Sequence, residues 1–429
     1  MDPSMIAAAG LVVMFLMMFI SVPISVAMFI TGMGGLFVMS SSTSAFYLLS
    51  SEVWNSFSSY SLSVIPLYIL MGEIVFQSGL TARLFNAAYR WFGHLRGGMA
   101  GTTILASAGF ASICGSNAAA AASMGTMALP ELKKYKYNPA LSTGSVATGG
   151  TLGIIIPPST VLIVIAIQTQ QSIRDLFIAS IIPGILLVIF FLLTILYLCH
   201  RNPEYGPPGP KFSFKEKMRA VYGVVPILGL FLFVIGGLFL GWFTPSESAA
   251  FGALGAILLT LAMKRLTKEG FVTAVKNTIK TSAMVLMLIV GATYLGRFLA
   301  VTRLPNEVAE WISSLPVHSL VIVFAILTVY VIGGSLMDAM GFLMVSIPIF
   351  YPPVIAIGYD PVWFAILLCI VTSLGAITPP VGVNAFVVQG LTPSTNITTI
   401  FKGTSYFLVN YVIFIIILVV FPQIILFLV

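Results

Sequence analysis

The residues of this chain best suited to chemistry sit in four polar, glycine-rich breaks inside hydrophobic sequence. The first break is Ile-Cys-Gly-Ser-Asn at 113–117, and the second is Gly149-Gly150-Thr151-Leu152-Gly153, just before Pro157-Pro158. The third is Gly-Gly-Ser-Leu-Met-Asp at 333–338, and the fourth, SLGAITPP, ends on Pro379-Pro380. Proline has no N–H, so the carbonyls four residues earlier, near Gly153 and Ile154, lose their helical partner. With the side-chain oxygens of Ser116 and Asn117 they could hold a cation. A mirrored set would use Gly334, Ser335 and Asp338 with Ser373, Gly375 and Thr378. These are hard oxygen donors without a thiolate or imidazole cluster, which points to an alkali cation rather than a transition metal. A half-helix ending in free carbonyls suits Na+. A helix beginning near Asn117 would present free N–H groups, which suit a carboxylate. The expectation is at least two Na+ ions and an organic acid, the acid meeting Ser116, Asn117, Gly150, Thr151, Ser335 and Asp338. Thr151 and Ser373 could equally bond back to their own helices.

The elements that position these breaks repeat. The two double prolines stand about 222 residues apart, and Asn138-Pro139 with Asp360-Pro361, and Pro23 with Pro245, keep that spacing. The chain has 429 residues, 59% hydrophobic and only 8% charged, with mean hydropathy +1.06. A soluble domain carries roughly 25% charge, so an all-α polytopic membrane protein is expected. Broken backbone is tolerated in lipid only where it lines a cavity or is buried in protein. Paired breaks in corresponding halves point to the binding site of a secondary transporter.

Apolar runs predict spans near 5–20, 22–40, 61–79, 140–169, 176–199, 222–241, 246–263, 281–301, 361–390 and 405–428. Two further runs, 98–131 and 317–359, are broken near the middle and read as re-entrant hairpins. This gives a first repeat over 1–200, a linker at 201–221 and a second repeat over 222–429. The helices predicted at 140–169 and 361–390 are interrupted ones. With external termini, about 17 of the 20 basic residues fall on the cytoplasmic side, a strong positive-inside bias. Five full spans per half then require the halves to be inverted, with the hairpins opening on opposite faces. The +7 charge therefore reflects topology and not nucleic-acid binding. Asp2 precedes the first apolar run and no small-residue cleavage site follows it, so no cleavable signal peptide is expected.

The Pro/Gly-rich linker reads as a solvated cytoplasmic connection. Amphipathic segments at 80–96 and 304–315 read as arm helices lying in the interface plane. The first would place Leu84, Ala88, Trp91, Phe92 and Leu95 on one face. The second would group Val308, Trp311, Ile312 and Leu315. Of the acids in apolar spans, Glu73 is expected to pair with Arg297 across the repeat, and Glu247 to cap the first turn after Pro245. Asp338, at the second hairpin tip, is expected to contact cation or substrate. His94, His200 and His318 read as structural. Cys114, Cys199 and Cys369 have no disulfide or metal spacing.

No Gly-Lys dipeptide occurs, which excludes a Walker A motif, and no HExxH pair occurs. No nucleophile and base can be assembled for an intramembrane enzyme. A channel would conduct without ion coupling. The remaining alternative is a stand-alone Na+/carboxylate symporter that needs no binding protein.

GSNAAAAASMGTMALPELKKYKYNP followed by ATGGTLGIIIPPS, then IIPGILL, FTPSESAAFGAL and SLGAITPPVGVNAFVVQG, carry a further signal. In these motifs, which extend over essentially the whole chain, the sequence resembles the large membrane subunit (DctM type) of tripartite ATP-independent periplasmic (TRAP) transporters. The resemblance implies an ion-transporter fold of elevator type, in which a core holding both hairpins slides past a scaffold. It implies Na+ symport of an organic acid, a C4-dicarboxylate or sialic acid, across a bacterial inner membrane. It also implies a small four-helix membrane subunit (DctQ type) and a periplasmic substrate-binding protein (DctP type) as partners. The family's Na+ sites map onto Ser116, Asn117, Gly150 and Gly153 in one half and Gly334, Asp338, Gly375 and Thr378 in the other. Asn117 stands where many relatives carry a second Ser. The small subunit's helices are not in this sequence, so an unfused variant is expected.

Overall fold

A computed structural model describes residues 2–40 and 42–429; the side chains of residues 42, 44, 49, 56, 112–114 and 313 lie outside the description. Twenty-one α-helices run in order: α1 (Pro3–Phe19), α2 (Ile24–Met39), α3 (Ser42–Ser58), α4 (Val64–Gln77), α5 (Thr81–Phe92), α6 (Gly98–Cys114), α7 (Asn117–Lys134), α8 (Pro139–Ile155), α9 (Thr160–Thr169) and α10 (Ile173–Arg201) complete the first half. The second half holds α11 (Phe214–Tyr222), α12 (Val225–Phe239), α13 (Pro245–Ala262), α14 (Lys268–Val301), α15 (Leu304–Ser314), α16 (Ser319–Leu336), α17 (Ala339–Ala356), α18 (Pro361–Gly375), α19 (Val383–Leu391), α20 (Ile397–Val420) and α21 (Gln423–Leu426). Among the described residues, seven helices are long and apolar enough to cross a bilayer, or nine if bent pairs count as single spans. The chain is an all-helical polytopic membrane protein built as an inverted repeat, with two re-entrant hairpins, α6–α7 and α16–α17.

The paired sequence signals turn out to be paired helix starts. Asn138 Oδ1 accepts the N–H groups of Ala140 and Leu141 at 2.9 and 3.3 Å, and Pro139 takes the first position of α8. Asp360 and Pro361 do the same for α18, with Trp363 N–H at 2.9 Å. A side-chain cap and a proline already lacking the orphan N–H suit this position. Thr244 and Glu247 form a reciprocal capping box at α13, as expected of Glu247.

Every residue from 140 to 155 in α8 and from 362 to 375 in α18 is buried. Around this twin axis pack α6, α7, α10, α16, α17 and α20, forming a core. The helices α1, α2, α3, α4, α12, α13 and α14 pack chiefly among themselves as a second group, and α5 and α15 lie against the hairpins. The two groups meet where α4 touches α6 and α9, and where α14 and α2 touch α17.

Several expectations shift. Helix α3 lies in a Ser-rich stretch that was not expected to be a helix, and α14 extends the 281–301 span back to Lys268. Residues 149–153 are helical rather than broken; the interruption of the first half falls at 156–159, where the two helices bend by 43° around a cis Pro157-Pro158 bond. The glycines serve close approach instead. A β-carbon on Gly149 would lie 2.6 Å from Ser107 Oγ, and one on Gly150 2.8 Å from the Ala121 β-carbon. Residues 333–336 are also helical, leaving only Met337 and Asp338 as the second hairpin tip. Gly333 makes room for the Phe342 ring of α17, which a β-carbon would meet at 2.1 Å. The buried face of α5 is Thr81, Leu84, Phe85 and Ala87, while Phe92 and Leu95 are exposed. On α15 Ile312 is buried and Trp311 points outward.

The linker is anchored by backbone hydrogen bonds, although most of its residues stay exposed. Tyr205 C=O accepts Asn138 N–H at 3.0 Å, Gly206 C=O accepts Gly97 N–H at 2.8 Å, and Gly209 N–H donates to Gly93 C=O at 2.8 Å. Phe212 then packs edge-on against Tyr89 and lies under the Arg90 guanidinium.

Candidate functional site

The first hairpin turns at Gly115, which closes α6 in the left-handed conformation (φ +62°) that favours glycine. Its carbonyl accepts the Thr160 hydroxyl at 2.8 Å, tying the tip to the start of α9. Ser116 is the N-cap of α7 in extended geometry, and its side chain makes no capping bond. The N–H groups at the start of α7 are thus left without a side-chain cap. Asn117 Oδ1 is buried and has no hydrogen-bond partner. Gly153 admits this tip to α8, since a β-carbon there would lie 2.6 Å from the Ser116 carbonyl oxygen.

At the second tip Asp338 caps α17, its Oδ2 accepting the N–H groups of Met340 and Gly341 at 3.1 and 3.4 Å. The capping carboxylate also lines a cavity. Gly375 sits against Gly334 and Ser335, where a β-carbon would lie 2.4 Å from the Gly334 carbonyl carbon. The tight contact is therefore one turn short of the tip in this half, whereas Gly153 meets the tip itself.

Both tips open into one cavity of about 100 Å³. Its walls include Ser116, Asn117, Thr160 and Thr281, then Asp338, Ala376 and Asn384. Among the described residues no Lys, Arg or His lines it. Oxygen donors and one carboxylate, gathered without a basic side chain, suit a cation better than a bare anion. Among the described residues no cluster of three His, Cys, Asp or Glu exists for a transition metal.

Sequence reasoning missed Asn384. It is wholly buried on α19, donates through Nδ2 to Ala147 C=O on α8 at 3.0 Å, and leaves Oδ1 unpartnered. Its approach across the two halves is set by tertiary packing, and its sequence position carries no signal of that.

The other expected donors are mostly satisfied within their own helices. Thr151 Oγ1 donates to Thr148 C=O at 2.7 Å, Ser335 Oγ to Ile332 C=O at 2.7 Å, and Thr378 Oγ1 to Leu374 C=O at 2.8 Å. Ser373 Oγ bonds Ile370 C=O at 2.7 Å and also pairs with the Tyr411 hydroxyl. Of the carbonyls that proline strips of partners, Ile154's is taken by Ser159 Oγ at 2.8 Å and Cys369 Sγ at 3.1 Å. In the second half Gly375's is taken by Thr378 N–H and Ala376's by Asn384 N–H, both at 3.0 Å. Gly153's receives no donor among the described residues. The structure thus brings Ser116, Asn117 and Asp338 together at one cavity and places Gly150, Gly153, Gly334 and Gly375 at the close approaches behind it. Thr151, Ser335, Ser373 and Thr378 are turned to their own helices.

The expected Glu73–Arg297 pair does not form. Arg297 pairs with Glu52 on α3, Nη2 to Oε1 at 2.7 Å, because α3 lies along α14. Glu73 instead accepts Asn277 Nδ2 at 3.0 Å and lines a second cavity. Cys199 and Cys369 are buried and free.

The family model described as "Tripartite ATP-independent periplasmic transporter, DctM component" matches residues 11–424. The chain is 30% identical over 360 residues to the C4-dicarboxylate TRAP transporter large permease protein DctM of Pseudomonas aeruginosa, covering 84% of each. It is 28% identical over 390 residues to the sialic acid TRAP transporter large permease protein SiaM of Vibrio cholerae, covering 90% of each. The ectoine TRAP transporter large permease protein TeaC of Halomonas elongata is 30% identical over 370 residues, with 86% of each covered. The fold is shared with the crystal structure of the Alcanivorax borkumensis YdaH transporter, at a TM-score of 0.64, 16% identity and 89% coverage of each chain.

Proposed function

Because the chain belongs to the DctM component family of tripartite ATP-independent periplasmic transporters, we propose that it is the large membrane subunit of a Na+-driven importer of an organic acid. One observation carries this reading. The two hairpin tips share a single cavity that offers Ser116, Asn117, Asp338 and Asn384 oxygens and no basic side chain. A carboxylate entering it meets Asp338, an unfavourable approach unless cations are already bound. Cations at the tips, with the uncapped N–H groups of α7, would reverse that sign and make the acid's binding depend on Na+. Such dependence couples the two movements.

The energetics close. Each Na+ moving down a tenfold gradient supplies about 1.4 kcal/mol, and about 2.3 kcal/mol more per 100 mV. Two ions supply roughly 7.4 kcal/mol, of which a monoanion moving against the potential consumes about 2.3. The remainder supports accumulation of roughly 10³–10⁴-fold.

In this reading the core, with both hairpins, travels against the α1–α4 and α12–α14 frame as an elevator. The basic ends of α7 and the linker face the cytoplasm, and both termini lie in the periplasm of a bacterial inner membrane. A DctQ-type small subunit would complete the frame, and a DctP-type binding protein would deliver the acid. The relatives' names span C4-dicarboxylate, sialic acid and ectoine, so the acid is to be found by testing a panel. The experiment is uptake into proteoliposomes holding the chain, its small subunit and its binding protein. Uptake is expected only under an inward Na+ gradient and with the binding protein present. Equal uptake with K+ replacing Na+ would refute the coupling.

A further inference from the structure

Glu73 lies on α4, in the frame, yet it lines a cavity of about 360 Å³ that reaches the first hairpin. Opposite it, α7 presents Ala119, Ala122, Ser123 and Thr126, a stripe at helical spacing of small and hydroxyl side chains. The cavity and the tip cavity share Ser116, Thr160 and Thr281 on their walls, so the two are neighbours. Among the described residues neither is lined by Lys, Arg or His. Glu73 receives one hydrogen bond, from Asn277 Nδ2, and among the described residues it has no ion-pair partner. The Ser123 hydroxyl, 3% exposed, is buried without a hydrogen-bond partner. A carboxylate without a counter-ion in a membrane chain is costly unless something positive visits it. An orphaned hydroxyl on the facing wall marks a place where a further ligand belongs.

We propose that Glu73, with the hydroxyl-bearing face of α7 opposite, is an additional monovalent-cation station on the route between the first hairpin tip and the α7 side of the protein. Glu73 belongs to the frame and stays in place as the core moves, whereas the α7 hydroxyls travel with the core, so the station is complete only when the first hairpin stands beside α4 as it does here. The coordinating set is hard oxygen throughout, which fits Na+. The carboxylate also disfavours an anion backing into the cavity once Na+ has left, giving release a direction. This inference rests on the Na+ coupling proposed above.

The test is Na+ titration of thermal stability in detergent, with K+ holding ionic strength constant, on the full chain. Removing one charge from a partly buried site should raise the half-saturating Na+ concentration about tenfold in Glu73→Gln. That variant keeps an acceptor for Asn277, so packing is preserved. Glu73→Asp should remain near wild type, and so should Asn277→Ala, which removes the hydrogen bond but not the charge. A structural role would instead lower stability equally at every Na+ concentration and would appear in Asn277→Ala too. If wild type responds to Na+ and Glu73→Gln responds identically, the station is refuted and the coupling stands. If wild type is indifferent to Na+, both fall.

Discussion

The carboxamide of Asn384, from the second half of the chain, donates its Nδ2 proton to the Ala147 carbonyl of α8 in the first half at 3.0 Å. One polar side chain therefore ties the second interrupted helix to the first. The same side chain leaves its Oδ1 free. A β-carbon placed on Gly150 would touch both Asn384 Nδ2, at 2.9 Å, and Asn117 O, at 3.1 Å, so the two asparagines are neighbours across the repeat.

Replacing either asparagine by alanine should cost transport far more than fold. Removing the Asn384 amide deletes its bond to the Ala147 carbonyl, which keeps its helical partner within α8, and costs about 0.5–1.5 kcal/mol of stability. The same change removes an oxygen from the tip cavity, and Na+-dependent uptake should fall at least tenfold. Asn117→Ala should abolish that uptake while leaving a monodisperse protein. Size-exclusion profiles together with proteoliposome flux decide the matter; wild-type flux in both variants would remove the first tip from the mechanism.

Glycines behind the tips should be intolerant while lipid-side glycines are not. A β-carbon at Gly153 would come 2.6 Å from the Ser116 carbonyl oxygen, and at Gly375 2.4 Å from the Gly334 carbonyl carbon, backbone contacts that cannot rotate away. Overpacking of this kind costs about 1–3 kcal/mol, and the displaced backbone belongs to the hairpins. Gly153→Ala and Gly375→Ala should lower melting temperature and uptake together. Gly229→Ala, with nothing within 4 Å, should match wild type in both.

The inverted arrangement predicts opposite labelling. Single cysteines at Lys134, beyond the first hairpin, and at Asp360, beyond the second, should react with a membrane-impermeant maleimide from opposite sides of oriented vesicles. Reaction of both from one side would rule out inversion.

The linker helix should respond to acid. Ser213 N–H and Ser213 Oγ both donate to Glu216 at 2.8 Å, and these bonds, with a lesser contribution from Arg90, hold the carboxyl below the usual Glu value. A lowered folded-state pKa means the cap's stabilisation is present above the unfolded value and disappears as pH falls through the folded one. Hydrogen-exchange protection of 214–222, corrected for intrinsic rates, should be steady near neutrality and drop below about pH 4. Glu216→Gln, which keeps an acceptor for Ser213 N–H but carries no titrating carboxyl, should abolish that drop.

The signals readable in the sequence were the ones set by local chemistry. Pro157-Pro158 and Pro379-Pro380 marked the interruptions because a missing N–H acts on its own chain. Asn138-Pro139 and Asp360-Pro361 marked matched helix starts for the same reason. Ser116 with Gly115 gave the first tip. What escaped is non-local or shares a composition with something else. Glycine serves equally as hinge, ligand and packing surface, and only the neighbours of Gly149, Gly150 and Gly153 tell these apart. Hydroxyls such as Thr151 and Thr378 can serve an ion or the preceding turn, and the coordinates turn them to the turn. The Ser-rich α3 lacks a hydrophobic signature, yet Glu52 on it captures the arginine that sequence spacing assigned to Glu73. Asn384 belongs to the tip cavity only because two distant helices cross there.

The anchored linker sets a mechanical bound. Gly206 is bonded to Gly97 at the base of the first hairpin, and Gly209 to Gly93 at the end of α5. Two short straps, 93–97 and 206–209, therefore run side by side between the same pair of anchors. Four residues stretched fully reach about 14 Å. That length is the leash on the hairpin base: a larger excursion from α5 would first have to unzip one anchor or unwind the end of a helix.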